Sequence, residues 1–153
     1  MDGLIIWKAM YITCVEKQDK VRELFAACQT EEAKYQKIIE LGHQLPPISA
    51  AYKVPENIVK GCQSIVYLRS FMDGNSVHFE AASEALISCG LAAILIQVYS
   101  GESPEAILKC PPSYLEDLGI SASLTPSRAN GLYSIHLRMK QDALKWLVSG
   151  QKS

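Results

Sequence analysis

The stretch Leu86 to Tyr99 constrains the fold more than any other part of the chain, because it is apolar nearly all round. It is shorter than the roughly 18–20 residues of a membrane span and is interrupted by Ser88 and Gln97, so it reads as a helix buried on every side. Ser83 is placed to cap it, with Glu84 in its first turn. Gly90, Ala92 and Ala93 would let a second element come close. A chain of 153 residues can build such a core unaided, as one domain spanning 1–153, and the other elements must wrap around this helix.

The wrapping elements follow from periodicity and capping. Val21, Leu24, Phe25 and Cys28 recur at helical spacing and predict a first helix over 17–28, after an N-terminal extension 1–16. That extension is apolar, but Asp2 and a single Lys8 make a poor signal-peptide start, and Met10 would serve as an alternative first residue. Thr30, Glu31 and Glu32 open a second helix, which Gly42 and Pro46-Pro47 end at about Leu41. Ser64–Arg69 and Ser76–Ala81 are strand-like around Asp73-Gly74-Asn75, which has hairpin-turn chemistry, and Ile58-Val59 would add an edge strand. Ser103-Pro104-Glu105 and Thr125-Pro126 each open a helix, with a further turn of helix from Pro112-Ser113 to Gly119 between them. The last helix runs over 126–148, with Leu132, Ile135, Met139, Ala143 and Leu147 on one stripe opposite Arg138, Lys140 and Asp142. The sum is an α+β fold: a small antiparallel sheet of about three strands packed with helices.

Composition narrows the partners. Fifteen basic and sixteen acidic residues leave a net charge of −1 without long runs of either sign, which argues against nucleic acid; proteins or small molecules remain. No membrane partner is expected. Cys14, Cys28, Cys62, Cys89 and Cys110 are an odd set without Cys-x-x-Cys or zinc spacing. They predict reduced thiols in a cytoplasmic protein, with no bound metal.

Among them Cys62 stands apart, at a predicted loop tip between Gly61 and the polar pair Gln63-Ser64. Gly61 permits positive φ or close approach, and Gln63 and Ser64 are donors that could steady a thiolate. Taken alone, a Gly-Cys pair equally describes a buried small hydrophobe. Its surroundings carry more. Asn57-x-Val59-x-Gly61-Cys62-Gln63-Ser64-x-Val66 is preceded by Leu41-Gly42-x-x-Leu45-Pro46. It is followed by Ser100-Gly101-x-Ser103-Pro104-Glu105-x-Ile107-Leu108, by Leu118-Gly119, and by Leu124-Thr125-Pro126-Ser127-Arg128-x-Asn130-Gly131-Leu132. In order and spacing this set resembles the SufE/CsdE family of sulfur acceptors that serve cysteine desulfurases, from about Val21 to about Leu147.

The resemblance implies a fold shared with IscU-type scaffolds and a role for Cys62 as persulfide carrier. Gly61 would give the loop its flexibility, Gln63 and Ser64 its anchoring. Arg128 matches an arginine of the family pattern and would lie near the loop, holding its carbonyls or favouring an anionic persulfide; an ordinary salt bridge is the alternative. The implied partners are a cysteine desulfurase of the SufS/CsdA type, which the protein would stimulate, and an iron–sulfur scaffold protein. The desulfurase carries the pyridoxal phosphate, so no cofactor need be bound here. The chain would be a covalent carrier rather than an enzyme, as monomer or homodimer. Tyr67 stands where the family often has tryptophan, and Ala82 and Glu84 replace its two aspartates, a departure that bears on partner choice. His43, His78 and His136 fall outside the motifs, with His78 expected on an exposed sheet face. Two other readings are an iron–sulfur scaffold, which wants three or four convergent ligands, and a redox thiol protein, which lacks a resolving cysteine near Cys62 in sequence.

Overall fold

The computed structural model describes residues 10–151. Eight regular elements follow in order: α1 (Ile12–Ala26), α2 (Glu31–His43), β1 (Tyr67–Asp73), β2 (Ser76–Ala82), α3 (Leu86–Tyr99), α4 (Pro104–Lys109), α5 (Tyr114–Asp117) and α6 (Pro126–Gln151). The sheet is an antiparallel hairpin with α1, α2, α3 and α6 supplying most of the core.

As its composition demands, α3 lies at the centre, with Leu91, Ile94, Leu95 and Val98 all essentially inaccessible. α2 crosses it backbone to backbone: a Cβ added to Gly42 would sit 2.7 Å from the Gly90 nitrogen, and one added to Gly90 would collide with the Ile38 carbonyl. This explains why Gly42 does not stop α2, which continues to His43. Its lack of a side chain serves packing. Ser83 does not cap α3 either. Ala85 holds the cap position, while the Ser83 hydroxyl accepts from the Ala85 N–H and donates to the Ile65 carbonyl at 2.7 Å, tying the strand end to the chain just after Cys62. Thr30 and Ser103 cap α2 and α4 as expected.

The sheet has two strands where about three were expected. Tyr67↔Ala82 through Asp73↔Ser76 pair in register, with Gly74 at φ +63° taking the left-handed position that a two-residue turn demands. Ile58 makes only an isolated bridge to Tyr67, joined by one bond from the Val59 N–H to the Val66 carbonyl at 2.9 Å. Pro55 opens a 3₁₀ turn just before, and Gly61 turns the chain away at φ +93° just after, so no room is left for a strand.

α1 begins at Ile12 rather than Lys17. Its buried stripe is Cys14, Gln18, Val21 and Phe25, and the polar Gln18 hides the first turn from a hydrophobic pattern. Gln18 is tolerated there because its amide donates to the Pro111 carbonyl at 2.8 Å and to the Cys110 sulfur at 3.3 Å. Residues 1–9 of the expected extension lie outside the described residues.

Candidate functional site

Cys62 lies on the loop between the 3₁₀ turn Pro55–Asn57 and β1, and the N-terminal half of α6 forms its floor. Two glycines bring loop and helix together. A Cβ on Gly61 would stand 2.5 Å from the Ser134 hydroxyl, and one on Gly131 would touch the Cys62 sulfur at 3.8 Å. The thiol itself points at the Gly131 carbonyl, 3.8 Å away. It is half-buried, and burial pushes it above the ordinary thiol range. At rest this is therefore a protonated, weakly nucleophilic cysteine.

A cavity of about 10 Å³, close to what one water takes, lies beside the sulfur. Val66, Leu91 and Ile135 supply its apolar wall, and Arg128 lines it with Cys62 and Gln63. Among the described residues the Arg128 Nε is buried without a hydrogen-bond partner. An unpaired buried donor costs about 1–3 kcal/mol, so this N–H is an unused binding group next to the thiol. Gln63 is exposed and Ser64 half-buried; among the described residues neither hydrogen-bonds the thiol. Ser64 instead faces a hollow of about 630 Å³ together with Lys53, Ile65, Tyr67, Ala82 and Glu84. Both positions that depart from the family's aspartates thus line a surface contiguous with the cysteine loop.

The sequence missed Arg138. Read as solvent-facing, it reaches back from α6 to the arm before the loop, donating to the Glu56 carbonyl at 2.7 Å and the Ile58 carbonyl at 3.3 Å. Asp142, one turn on and only 6 % exposed, aims it through a 3.1 Å ion pair and also accepts from Ser70. The carbonyl-holding role anticipated for Arg128 is thus performed by Arg138. The Arg-x-x-x-Asp spacing beside the apolar stripe was the available signal. Asn57 adds a bond from its amide to the Tyr52 carbonyl at 2.7 Å.

The other candidates fall elsewhere. His43 is exposed, and His78 stacks on Phe71 with ring centroids 5.5 Å apart. His136 is buried against Tyr99, and burial, helped by Lys140, pushes it down to about 4. Cys14 on α1 and Cys110 are both buried, and their mutual interaction pushes the Cys14 thiol up and the Cys110 thiol down. Cys89 is half-buried and points at the Gly42 carbonyl. Among the described residues no three His, Cys, Asp or Glu side chains gather as metal ligands, and no helix is long and apolar enough to cross a membrane.

Fold and site together define a small α+β protein that presents one loop thiol against a helix floor, with a one-atom cavity and an unpaired Arg128 N–H beside it. Residues 19–143 match the family model SufE, the Fe-S metabolism associated domain. The chain is 36% identical over 137 residues to SufE-like protein 1, chloroplastic/mitochondrial, of Arabidopsis thaliana, which covers 89% of this chain and 37% of that one. It is 34% identical over 125 residues to an uncharacterized SufE-like protein of Synechocystis, covering 82% of this chain and 79% of that one. The solution structure of a hypothetical protein from Thermus thermophilus superposes with a TM-score of 0.72 at 28% identity, over 86% of this chain and 96% of that one. The chain belongs to the SufE family, and its role lies in iron–sulfur metabolism. It spans about a third of the plant relative's length and about four-fifths of the cyanobacterial one's.

Proposed function

We propose that the protein is a sulfur acceptor that takes persulfide sulfur from a cysteine desulfurase onto Cys62, stimulates that enzyme by clearing its product, and passes the sulfur to iron–sulfur cluster assembly. The observation that carries this is the buried, unpaired Arg128 Nε lining the same one-atom cavity as the half-buried Cys62 thiol. An anionic terminal sulfur on Cys62 would give that N–H its partner, and the apolar wall would shield the persulfide from reductants.

In the transfer, the Cys62 thiolate attacks the terminal sulfur of the donor's persulfide. A new S–S bond forms at Cys62 as the donor's S–S bond breaks, and the electron pair returns to the donor cysteine as thiolate. No external oxidant or reductant is consumed. The resting thiol is held protonated by burial, so the loop must leave α6 and enter a wetter or more cationic pocket before it reacts. Gly61, at φ +93° and against Ser134, is where that departure would start.

The donor enzyme supplies the pyridoxal phosphate chemistry, and the hollow at Ala82 and Glu84 would meet it beside the loop. A cytoplasmic location belongs to the same proposal; the plant relative's own name is chloroplastic/mitochondrial. The test is intact mass after anaerobic incubation with a cysteine desulfurase and cysteine. Wild type should gain the mass of one sulfur and Cys62→Ser should gain none. Equal masses with and without an active desulfurase would sink the carrier reading, and iron bound after anaerobic reconstitution would favour a scaffold instead.

A further inference from the structure

The cavity beside Cys62 has a second polar wall that the transfer chemistry leaves unused. Ser88 lines it from α3 and is only 7 % exposed, a buried hydroxyl on a helix whose one other polar interruption is Gln97. Leu91, three residues on and therefore on the same face of α3, lines the cavity as well, so this face of the helix is the one turned to the thiol. With room for about one water-sized atom, the cavity brings whatever fills it against Ser88 and Arg128 together.

Ser88 also stands in the first turn of α3. The backbone N–H groups of that turn have no intrahelical acceptors, Ala85 at the cap position offers no side-chain acceptor, and the turn holds no carboxylate. The uncapped positive end of a 14-residue helix thus borders the cavity, and from α6 the Arg128 Nε, buried and without a partner among the described residues, lines it too. Of the groups facing the sulfur, Gln63 and Val66 from the loop and Ser88 and Leu91 from α3 are neutral, as is Ile135 from α6, and Arg128 carries the one charge. Glu84 and Lys53 border the larger hollow at Ser64 instead. Building on the carrier reading above, we infer that Ser88 is a positioning residue for the carried sulfur: its hydroxyl and the first turn of α3, together with Arg128, hold the terminal atom of a Cys62 persulfide as an anion.

The bare thiol is in a different position. Its sulfur points at the Gly131 carbonyl, an acceptor, and burial keeps it protonated. A persulfide places its terminal sulfur about 2 Å beyond Sγ, where the cavity and its donors lie. The empty site therefore favours a neutral thiol and the loaded site an anion. Charge-assisted hydrogen bonds then hold a loaded loop on α6 more firmly than an empty one.

The test loads Cys62 of the full chain anaerobically with inorganic polysulfide, removes the excess, confirms one added sulfur by intact mass, and follows the near-ultraviolet absorbance of the persulfide anion against pH. Ser88→Thr and Ser88→Val share a shape and differ in the hydroxyl, so packing effects are common to both, and circular dichroism checks that each folds. Wild type and Ser88→Thr should ionise together, about one pH unit or more below Ser88→Val, a tenfold difference in acidity from the loss of one charge-assisted hydrogen bond. Ser88→Val combined with Arg128→Met should titrate higher than either change alone. Coincident curves for the threonine and valine variants would overturn the inference, as would a wild-type persulfide no more acidic than glutathione persulfide in free solution. A parallel incubation with a cysteine desulfurase and cysteine separates the two readings. No sulfur gained there, with the threonine–valine difference intact, removes the carrier reading alone; one sulfur gained without that difference removes the role of Ser88 alone.

Discussion

Replacing Gly61 by alanine tests whether the loop's resting position is a balance that the protein can shift. At φ +93° an L-residue loses about 1–2 kcal/mol, and the added Cβ would stand 2.5 Å from the Ser134 hydroxyl and 3.3 Å from its Cβ. The hydroxyl can rotate away; the Ser134 Cβ cannot. Both terms act only while the loop lies on α6, so the docked state loses about 1–2 kcal/mol relative to the lifted one. The lifted population then rises by about 5- to 30-fold. The assay is the rate at which Cys62 is alkylated, followed by peptide mass so that half-buried Cys28 and Cys89 serve as internal references. Cys62 should react faster by that factor, with Cys89 unchanged, and Gly61→Ala combined with Ser134→Ala should fall between the variant and wild type. An unchanged Cys62 rate in Gly61→Ala, with the protein still folded, would refute the idea that contact with α6 restrains the thiol.

Three further outcomes follow from groups around the loop. Arg128→Met removes an unpaired buried donor, so resting stability in urea should hold or rise by about 1 kcal/mol while a persulfide loaded on Cys62 becomes shorter-lived in the presence of a thiol reductant. Arg138→Ala strips two loop-arm carbonyls of their donor and leaves the buried Asp142 without its cation; urea denaturation should show a loss of about 2–4 kcal/mol, and Asp142→Asn should lose less. His136 titrates near 4 when folded against about 6.5 when unfolded, so the unfolded chain takes up the proton first as pH falls. The contribution is complete above about pH 6.5 and is lost down to about pH 4, amounting to roughly 3 kcal/mol, and denaturation across that window should flatten in His136→Leu.

The helices were legible wherever a cap or an unbroken stripe announced them: Thr30, Ser103-Pro104 and the apolar run of α3 all stand where the pattern put them. Errors came where one residue serves a partner distant in sequence. Gly42 looks like a terminator because its contact with Gly90 on α3 is invisible along the chain. Gln18 looks like the end of a polar segment because its acceptors lie at Cys110 and Pro111. The third strand failed for the same reason, since Ile58-Val59 has strand chemistry but too little straight chain between Pro55 and Gly61 to use it. At the site, motif spacing singled out Cys62, Gly61 and Arg128, and the structure brings Cys62 and Arg128 to one cavity with Gly61 packed on α6 beside it. Motif spacing could not assign the arginines their tasks, because Arg128 and Arg138 lie on one helix and differ only in what the arm places beside them.

Under the proposed carrier function, that division of labour is how one thiol would be both sheltered and deliverable. Upstream, Arg138 holds the carbonyls of Glu56 and Ile58, and the Val59 N–H closes the base of the loop on the Val66 carbonyl. Downstream, the Ser83 hydroxyl holds the Ile65 carbonyl. Between those fasteners the chain from Lys60 to Ser64 is held mainly by the approach of Gly61 and Cys62 to α6, contacts made without strong hydrogen bonds. A segment attached at both ends and weakly bound along its middle opens locally while its base stays closed, which confines motion to Cys62 and its immediate neighbours. Burial raises the pKa of the docked thiol, so a movement that exposed Cys62 would also lower its pKa toward the ordinary thiol range. Under the proposed carrier function, strengthening the contact with α6 would protect a bound sulfur at the expense of delivery. Glycines at 61 and 131, which bring loop and helix together without adding side-chain contacts of their own, keep that contact close and weak.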